Sequence, residues 1–519
     1  MNTYLTKSLL FLLTVMFTLS CKPKPAEKGN NNQKSSDFPY TLSVEVTEKK
    51  NAPSLQSFVH GVHGNDWLLF AGRTNSGSTD DGGLHSINKG NYANTSFLPP
   101  SFNEDIFVYN IDEDKTIKIS LATLDSVLKA KYPKNYSVYK DYKAVFKNSN
   151  ALVKQHGEYL YVLGGYGPVD LVNPGKQYET YKQVAKIHVP SLINIVKKKY
   201  EGVNSEKLFA FGKDKDSLLV STGGELHTTG TGSSLKFYMA GGHNFNNARQ
   251  KYVDAVYPFT LIDSSHTLKI SVNTAITDVI DPRQTIADNL SKFRRRDGPI
   301  TPTLYKSPVK DQIEQGLAFY TGVFKPGNDL QAWNDAVYVH PNFANDEGRL
   351  FTIDKAYNQN NYNVYSCPSF VTYDSKTDIS HTFLIGGIGD GNFADSGNLS
   401  GFTNTAVHIE TNIGERPFRS THQLIQPDDL FNQKDKNEPP FYGAEAILFV
   451  NDNVPLYAIA TDKATITTEI LDMASFEDTN IEVGYIFGGI EAFKSNPGTY
   501  GKTNSRASNK IWKVVLKKK

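Results

Sequence analysis

The 519-residue chain contains two cysteines only and has no significant excess of charge of either sign. Its 55 basic and 54 acidic residues give a formal net charge of +1 at pH 7. Nucleic-acid-binding domains usually carry a concentrated basic face, and the one dense basic cluster, KFRRRDG at 292–298, is too short to provide one. We therefore expect no nucleic-acid partner.

Several sequence patterns of enzyme active sites are also missing. The chain has no nucleophile elbow, no phosphate-binding loop, no paired-histidine zinc motif and no Cys-x-x-Cys. No segment after residue 40 is apolar enough to span a membrane. These absences favour a binding role over catalysis, and they predict no cofactor and no metal.

The one long apolar run, Leu9 to Leu19, has the length of a signal-peptide core and follows Lys7. The segment ends in TLSC at 18–21, which resembles the lipobox of bacterial lipoproteins. In that family the cysteine is lipidated and becomes the first residue of the mature protein. The resemblance implies a signal peptide over residues 1–20 and lipidation of Cys21.

Residues 21–38 are polar and rich in Lys, Asn, Pro and Ser, which predicts a flexible tether. With Cys21 lipidated, Cys367 has no disulfide partner, so stability must come from apolar packing. The expected location is the bacterial cell envelope, at the outer membrane on its periplasmic or surface side. The only contact with the membrane would be the lipid anchor.

Glycine recurs along the chain in a fixed setting. Six short apolar, aromatic strands end in a glycine pair or a variant of it, as in EYLYVLGGYG at 158–167. The second glycines are Gly72, Gly165, Gly242, Gly322, Gly387 and Gly489. An alternating run precedes each strand, and a polar loop and another alternating strand follow it. Four short strands in each of six units indicate an all-β chain folded as a six-bladed β-propeller.

This pattern resembles the Kelch family of propellers, in which the second strand of each blade ends in a diglycine. The resemblance covers residues 39–519 and implies one Kelch-type domain with four-stranded blades. Glycine tolerates positive φ and has no side chain, so it suits sharp turns where blades crowd together. The sixth blade lacks a fourth strand, and Tyr40–Val46 is expected to supply it.

The loops after the second strands and the starts of the first strands are expected to form one face of the propeller. The ligand-binding candidates near that face are Arg73, Tyr166, Glu225, His227, His243, Asn244, Arg295, Asp297, Tyr442, Glu445 and Glu491. Arginine beside aspartate can hold a sugar acid, or it can form a structural ion pair at a blade edge. The expected partner is a glycan or an envelope protein, and a scaffold for envelope proteins is a further alternative.

Two enzymatic alternatives follow from resemblance. YSCPSF at 365–370 resembles a segment of the galactose oxidase family, copper-radical enzymes in which a cysteine cross-links to an active-site tyrosine. That resemblance pairs Cys367 with Tyr442, but the Tyr-His dipeptide of the family's copper site is absent here. The other alternative is a Kelch-type sugar mutarotase, which would use Arg and Glu in the central channel.

The segment Asp390–Asn398 carries several carboxylate and amide oxygens at close spacing. Such oxygens could hold calcium, although the full EF-hand pattern is missing. An ordinary turn rich in Asn and Asp is the alternative.

Overall fold

The structure is a computed structural model. It describes residues 38–75, 97–171, 177–246, 249–278, 291–309, 312–320, 322–323, 325, 333, 335–354, 357, 366–389, 402–415, 418, 420–425, 430–431, 437–461, 464–493 and 505–519. The predictions for the signal peptide, the tether, Cys21 and the loop Asp390–Asn398 lie outside these residues.

The described part of the chain is all-β, as predicted, and residues Pro39–Lys519 form one compact body. It contains 32 strands and three α-helices. No helix in the described ranges combines the length and the apolar character that a membrane crossing requires.

Most strands pair in six antiparallel sets of four, here called units 1 to 6. The first strand of the described residues is β1 (Tyr40–Val46). Unit 1 follows with β2 (Val59–His63), β3 (Asp66–Phe70), β4 (Asp105–Asn110) and β5 (Lys115–Ser120). Two helices come next, α1 (Leu121–Lys131) and α2 (Pro133–Tyr139).

Unit 2 contains β6, β7, β10 and β11, with further elements inserted between them. Its elements are β6 (Leu152–His156), β7 (Tyr159–Leu163), β8 (Tyr166–Pro168), β9 (Tyr178–Thr180), β10 (Gln183–His188), α3 (Val189–Val196) and β11 (Phe209–Lys213). Unit 3 contains β12 (Thr222–Thr229), β13 (Lys236–Asn246), β14 (Arg249–Tyr252), β15 (Tyr257–Ser264) and β16 (Thr267–Val272), of which β14 pairs only with the end of β13. A parallel pair between β11 and β16 joins the two units into one sheet, and β9 also pairs with β13.

Units 4 and 5 are regular four-stranded sets. Unit 4 contains β17 (Ile300–Ser307), β18 (Gln312–Phe319), β19 (Ala336–Val339) and β20 (Phe351–Asp354). Unit 5 contains β21 (Ser369–Asp374), β22 (Ile379–Ile385), β23 (Ala406–Asn412) and β24 (Ser420–Ile425).

Unit 6 is completed by β1, which precedes unit 1 in the sequence. The remaining elements are β25 (Phe441–Ala444), β26 (Ile447–Val450), β27 (Leu456–Ala460), β28 (Thr465–Asp472), β29 (Asn480–Phe487), β30 (Ile490–Ala492), β31 (Ser505–Ala507) and β32 (Ile511–Lys518). The sheet order is β1-β32-β29-β26, and β1 pairs with β32 from Tyr40–Lys518 to Val46–Trp512. The pairing expected for Tyr40–Val46 with the C-terminal strand is therefore present.

The glycine pairs lie where one unit meets the next. Gly164, with φ of 67°, follows β7, and a Cβ built on it would lie 2.0 Å from the carbonyl oxygen of Ser221, which precedes unit 3. Gly165 donates its N–H to that same oxygen at 3.0 Å. The prediction that these glycines serve backbone geometry at a crowded contact is confirmed here.

The same contact joins other neighbouring units, including the last to the first. Gly242 of unit 3 donates its N–H to the carbonyl of Arg295, which precedes unit 4, at 2.7 Å. Gly489 of unit 6 donates to the carbonyl of Leu55, which precedes unit 1, at 2.8 Å. A backbone hydrogen bond thus connects the last unit to the first.

The hairpin of β27 and β28 is an insertion between the first two strands of unit 6. Its second strand pairs in parallel with β21 at Thr372 and Tyr373, near the end of that strand. Lys154 of unit 2 forms an ion pair with Glu469 of the hairpin. The hairpin therefore contacts the first strands of units 2 and 5 together.

Candidate ligand-binding site

Six residues with left-handed backbone form a continuous chain of hydrogen bonds, here called the ring. Each lies at or just before the first strand of its unit, and φ ranges from 51° to 66°. The members are Ser57, Asn150, Gly223, Asp297, Ser366 and Glu445. Five backbone hydrogen bonds of 2.5 to 3.1 Å run from the N–H of each later member to the carbonyl of the one before. Ser57 Oγ donates to Glu445 Oε2 at 2.8 Å and joins the first member to the last.

The ring holds strained backbone at several positions. Glycine adopts positive φ freely, and Asn and Asp tolerate it, but it costs other residues about 1–2 kcal/mol each. Ser57, Ser366 and Glu445 accept that cost. Because strained residues cluster at functional sites, the ring marks the candidate site of this molecule.

Glu445 supplies a half-buried carboxylate to the ring. It accepts hydrogen bonds from the side chains of Ser57 and Ser366. Burial, helped by the nearby Asp297 carboxylate, raises the pKa of Glu445, and Arg73 offsets only part of that rise. The site can therefore accept hydrogen bonds at one carboxylate that is already partly desolvated.

Arg73 lies beside Glu445 in a buried position. Its guanidinium lies 4.1 Å from the centre of the Phe97 ring. The Gln56 amide, oriented so that its nitrogen donates to Ser57 Oγ, accepts a hydrogen bond from Arg73 Nη2 at 2.7 Å. Burial lowers the pKa of Arg73 to about 10, so it stays charged at neutral pH. Arg73 thus supplies a positive charge held by stacking and by an amide.

Asp297 is the second carboxylate of the ring, with its side chain 17% exposed. Its Oδ2 lies 3.2 Å from Arg296 Nε, yet burial raises the pKa of Asp297 above its usual value. A Cβ built on Gly223 would lie 2.4 Å from Asp297 Oδ1. Because position 223 is glycine, the Asp297 carboxylate can occupy the space that a side chain there would fill.

Glu225 lies on β12, within electrostatic reach of Glu445 in the ring and of Glu469 in the hairpin. Its side chain is partly exposed, and burial raises its pKa to about 7. Lys154 counters that rise, whereas Glu445 of the ring and Glu469 of the hairpin add to it, and no hydrogen bond contributes. A carboxyl group of this kind exchanges a proton near neutral pH, which suits acid–base chemistry.

The Glu225→Gln substitution should raise stability at high pH but not at low pH. A carboxyl whose folded pKa exceeds its unfolded value gives stability below the unfolded pKa of about 4.5, and this is lost as pH rises through about 7. The gain from the substitution should reach at most about 3 kcal/mol at pH 8. Chemical denaturation at pH 4 and pH 8 measures it. An equal effect at both pH values would contradict this account.

The structure brings four of the predicted residues together at this site: Arg73, Glu225, Asp297 and Glu445. Two predicted histidines lie near them in buried positions. Burial lowers the pKa of His227 to about 3, and Lys154 lowers it further. Burial likewise lowers the pKa of His243, with Arg296 adding to the effect. Both histidines are therefore neutral at pH 7.

Arg295 does not face the ring. It is 1% exposed, and its Nη2 donates to Asp335 Oδ1 at 2.9 Å while its Nη1 donates to the backbone carbonyl of Asp335 at 2.8 Å. Its guanidinium also lies 4.9 Å from the centre of the Trp333 ring. The structural ion pair is thus the observed alternative, with Asp335 as the partner in place of Asp297. The guanidinium beside Asp297 comes from Arg296.

The other candidates have structural contacts. Glu491 is 2% exposed and accepts hydrogen bonds from Arg506 and from Ser508. Tyr166 packs edge-on against Phe97 with ring centres 5.2 Å apart. Asn244 lies in the pairing of β13 with β14.

Cys367 and Tyr442 lie in different packed groups. Burial raises the pKa of the Cys367 thiol, which packs in a cluster with Leu384. The ring of Tyr442 packs against Trp512, with centres 4.7 Å apart, and against Phe431. A buried thiol with a raised pKa is the setting of an unreactive cysteine.

Sequence reasoning missed the other members of the ring. No charged or catalytic side chain marks the remaining members, which are Ser57, Asn150, Gly223 and Ser366. A serine in the sequence also does not reveal that its backbone is left-handed. Their common position before each first strand is the feature that could have identified them. Lys154 and Glu469 were missed because the hairpin that joins them is an insertion.

No family model matches this chain, and no curated protein matches its sequence.

Proposed function

We propose that the six units are the blades of a Kelch-like propeller and that the ring surrounds its axis. Three observations support this arrangement. The units contact one another in chain order, and the N–H of Gly489 in unit 6 donates to the carbonyl of Leu55 just before unit 1. Strand β1 completes unit 6. A ring with one member from each unit is what six blades around one axis would produce.

The function that the geometry favours is binding of a carbohydrate at the ring. The observation that carries it is the convergence of Asp297, Glu445 and Arg73 with the hydroxyls of Ser57 and Ser366. Sugar hydroxyls need both donors and acceptors at short range, and these side chains offer both. The half-buried carboxylates are partly desolvated before binding, which strengthens their hydrogen bonds to a ligand.

A glycan-array screen of the purified protein tests this proposal. We expect a hit that raises the melting temperature of the wild-type protein. Asp297→Asn and Glu445→Gln should each weaken its binding by at least about tenfold, because each removes a charge-assisted hydrogen bond.

The matched control is Glu347→Gln, which changes an exposed carboxylate paired with Arg349. It should leave affinity unchanged. Equal binding by wild type and both site variants would place the ligand elsewhere. A blank screen with folded protein would reject the carbohydrate and direct the search to envelope proteins.

The pKa of Glu225 favours a second candidate, an acid–base enzyme such as a sugar mutarotase. A carboxyl that titrates at about 7 can both donate and accept a proton under physiological conditions. Any sugar found in the screen should be tested for anomer exchange by NMR. A rate that depends on pH near 7 and is lost in Glu225→Gln would favour the enzyme over the binding protein.

The copper-oxidase alternative has no comparable support. Cys367 and Tyr442 pack in separate groups, and burial keeps the thiol protonated. The N-terminal TLSC motif supports an envelope lipoprotein as the setting of the protein. A mature N-terminus at Cys21 carrying acyl chains, seen by mass spectrometry, would identify that anchor.

A further inference from the structure

A compact group of two histidines and one glutamate lies in unit 5, away from the ring. His381 is on β22, and His408 and Glu410 are on β23, whose register places His381 opposite Glu410. Among the described residues, these three side chains are the one group of three or more whose ligand atoms could hold a metal ion together. The function proposed above does not use them.

The three atoms that face one another have the separations of ligands around one ion. His381 Nδ1 and His408 Nε2 are hydrogen-bonded at 3.0 Å, and Glu410 Oε1 lies 3.7 Å and 4.0 Å from these nitrogens. The nearest point equidistant from the three atoms lies about 2.1 Å from each, the length of zinc bonds to imidazole nitrogen and carboxylate oxygen, but it lies in their plane. A tetrahedral zinc ion, whose ligand atoms are about 3.4 Å apart, therefore requires the Glu410 carboxylate to move closer to the imidazoles. The carboxylate is too far from either nitrogen for a direct hydrogen bond.

The surroundings fix the geometry and leave a way in. His408 stacks on Phe383 with ring centres 4.5 Å apart and planes within 4°. The histidines are 4% and 3% exposed, whereas the side chain of Glu410 is 25% exposed. An ion could therefore enter past the carboxylate and be held by two rings that cannot turn freely.

A further buried oxygen lies beside the group. Thr372 on β21 pairs directly with His381, is 0% exposed, and its hydroxyl has no hydrogen-bond partner among the described residues. Leaving such a hydroxyl without a partner costs free energy. A metal-bound water, or the ion itself, would give it one.

We propose that His381, His408 and Glu410 bind one zinc ion in unit 5. Two imidazoles and one carboxylate are a ligand set that zinc takes in proteins, with a fourth position left for water. The ion would tie β22 to β23 and replace the contact between the two imidazoles. Its expected role is to stabilise the unit.

The test is zinc binding by the full chain after treatment with a chelator. Calorimetry with Zn²⁺ should show one equivalent bound, and excess Zn²⁺ should raise the melting temperature by roughly 2 °C or more. Glu410→Gln should lower the affinity at least about tenfold, since losing even a residue that only supports a ligand does so. Its side chain is partly exposed and keeps its size, so this variant should fold.

The control is His63→Ala, which removes an exposed histidine at the end of β2. It should bind Zn²⁺ as the wild type does. A wild-type protein that binds no zinc would overturn the proposal. Unchanged zinc affinity in Glu410→Gln would overturn the proposal as well. This test does not depend on whether a variant of the buried ligand, His408→Gln, can fold.

Discussion

Gly164→Ala should destabilise the protein by about 2–5 kcal/mol. Part of the loss is backbone strain, because Gly164 has φ of 67°. The larger part is the methyl group, which would lie 2.0 Å from the carbonyl oxygen of Ser221 and force units 2 and 3 apart. Chemical denaturation of the two proteins measures the difference.

Gly157→Ala provides the matched control. Gly157 also has positive φ, 57°, but a Cβ there meets no atom within 4 Å. It should cost only about 1 kcal/mol, the strain term alone. If both substitutions cost the same, the close approach between units would have no energetic weight, and the explanation of the glycine pairs would fail.

Arg295→Ala should destabilise the protein by about 3–5 kcal/mol. The substitution removes two hydrogen bonds to Asp335 and one from Nε to the carbonyl of Lys292, all at a side chain that is 1% exposed. It also removes packing against Trp333. Lys292, 2.6 Å from Asp335, would compensate part of the remaining charge.

Arg349→Ala is the control for this substitution. Arg349 is 45% exposed and its ion pair with Glu347 is open to solvent, so its loss should cost less than about 1 kcal/mol. Thermal and chemical unfolding of both variants would measure the contrast. If Arg295→Ala lowered the free energy of unfolding only slightly and weakened ligand binding, Arg295 would instead be assigned to the binding site.

The strands were predictable because their causes are local. Alternation of apolar and polar residues marks a strand wherever it occurs, and a glycine pair marks its end. The stretch KTIKIS, for example, is β5 from Lys115 to Ser120. The pairing of Tyr40–Val46 with the last strand was also predictable, because unit 6 otherwise lacks a strand.

The site was predictable only in part because it depends on distant contacts. Four acidic or basic members were found by their chemistry, but neither strand alternation nor composition shows which of Arg295 and Arg296 faces Asp297. The three helices were missed because they are insertions into a β pattern. Helix α3, for example, is stabilised by tertiary packing, because its Val189, Leu192 and Val196 are completely buried.

The zinc ligands illustrate the same limit. His408 and Glu410 are two residues apart on one strand, which places both side chains on one face of the sheet. His381 joins them only through the register of β22 with β23. A sequence pattern cannot supply that register when the connecting segment is long.

Pairing of β1 with β32 sets the order of events during synthesis. Glu45 and Lys517 meet at 2.7 Å although 472 residues separate them. Strand β1 leaves the ribosome long before β32 exists, so unit 6 can be completed only after β32 has been made. Contacts of such high sequence separation form slowly, and an unpaired strand edge invites aggregation in the meantime. Protection of the β1 segment until β32 has been made would therefore favour correct folding.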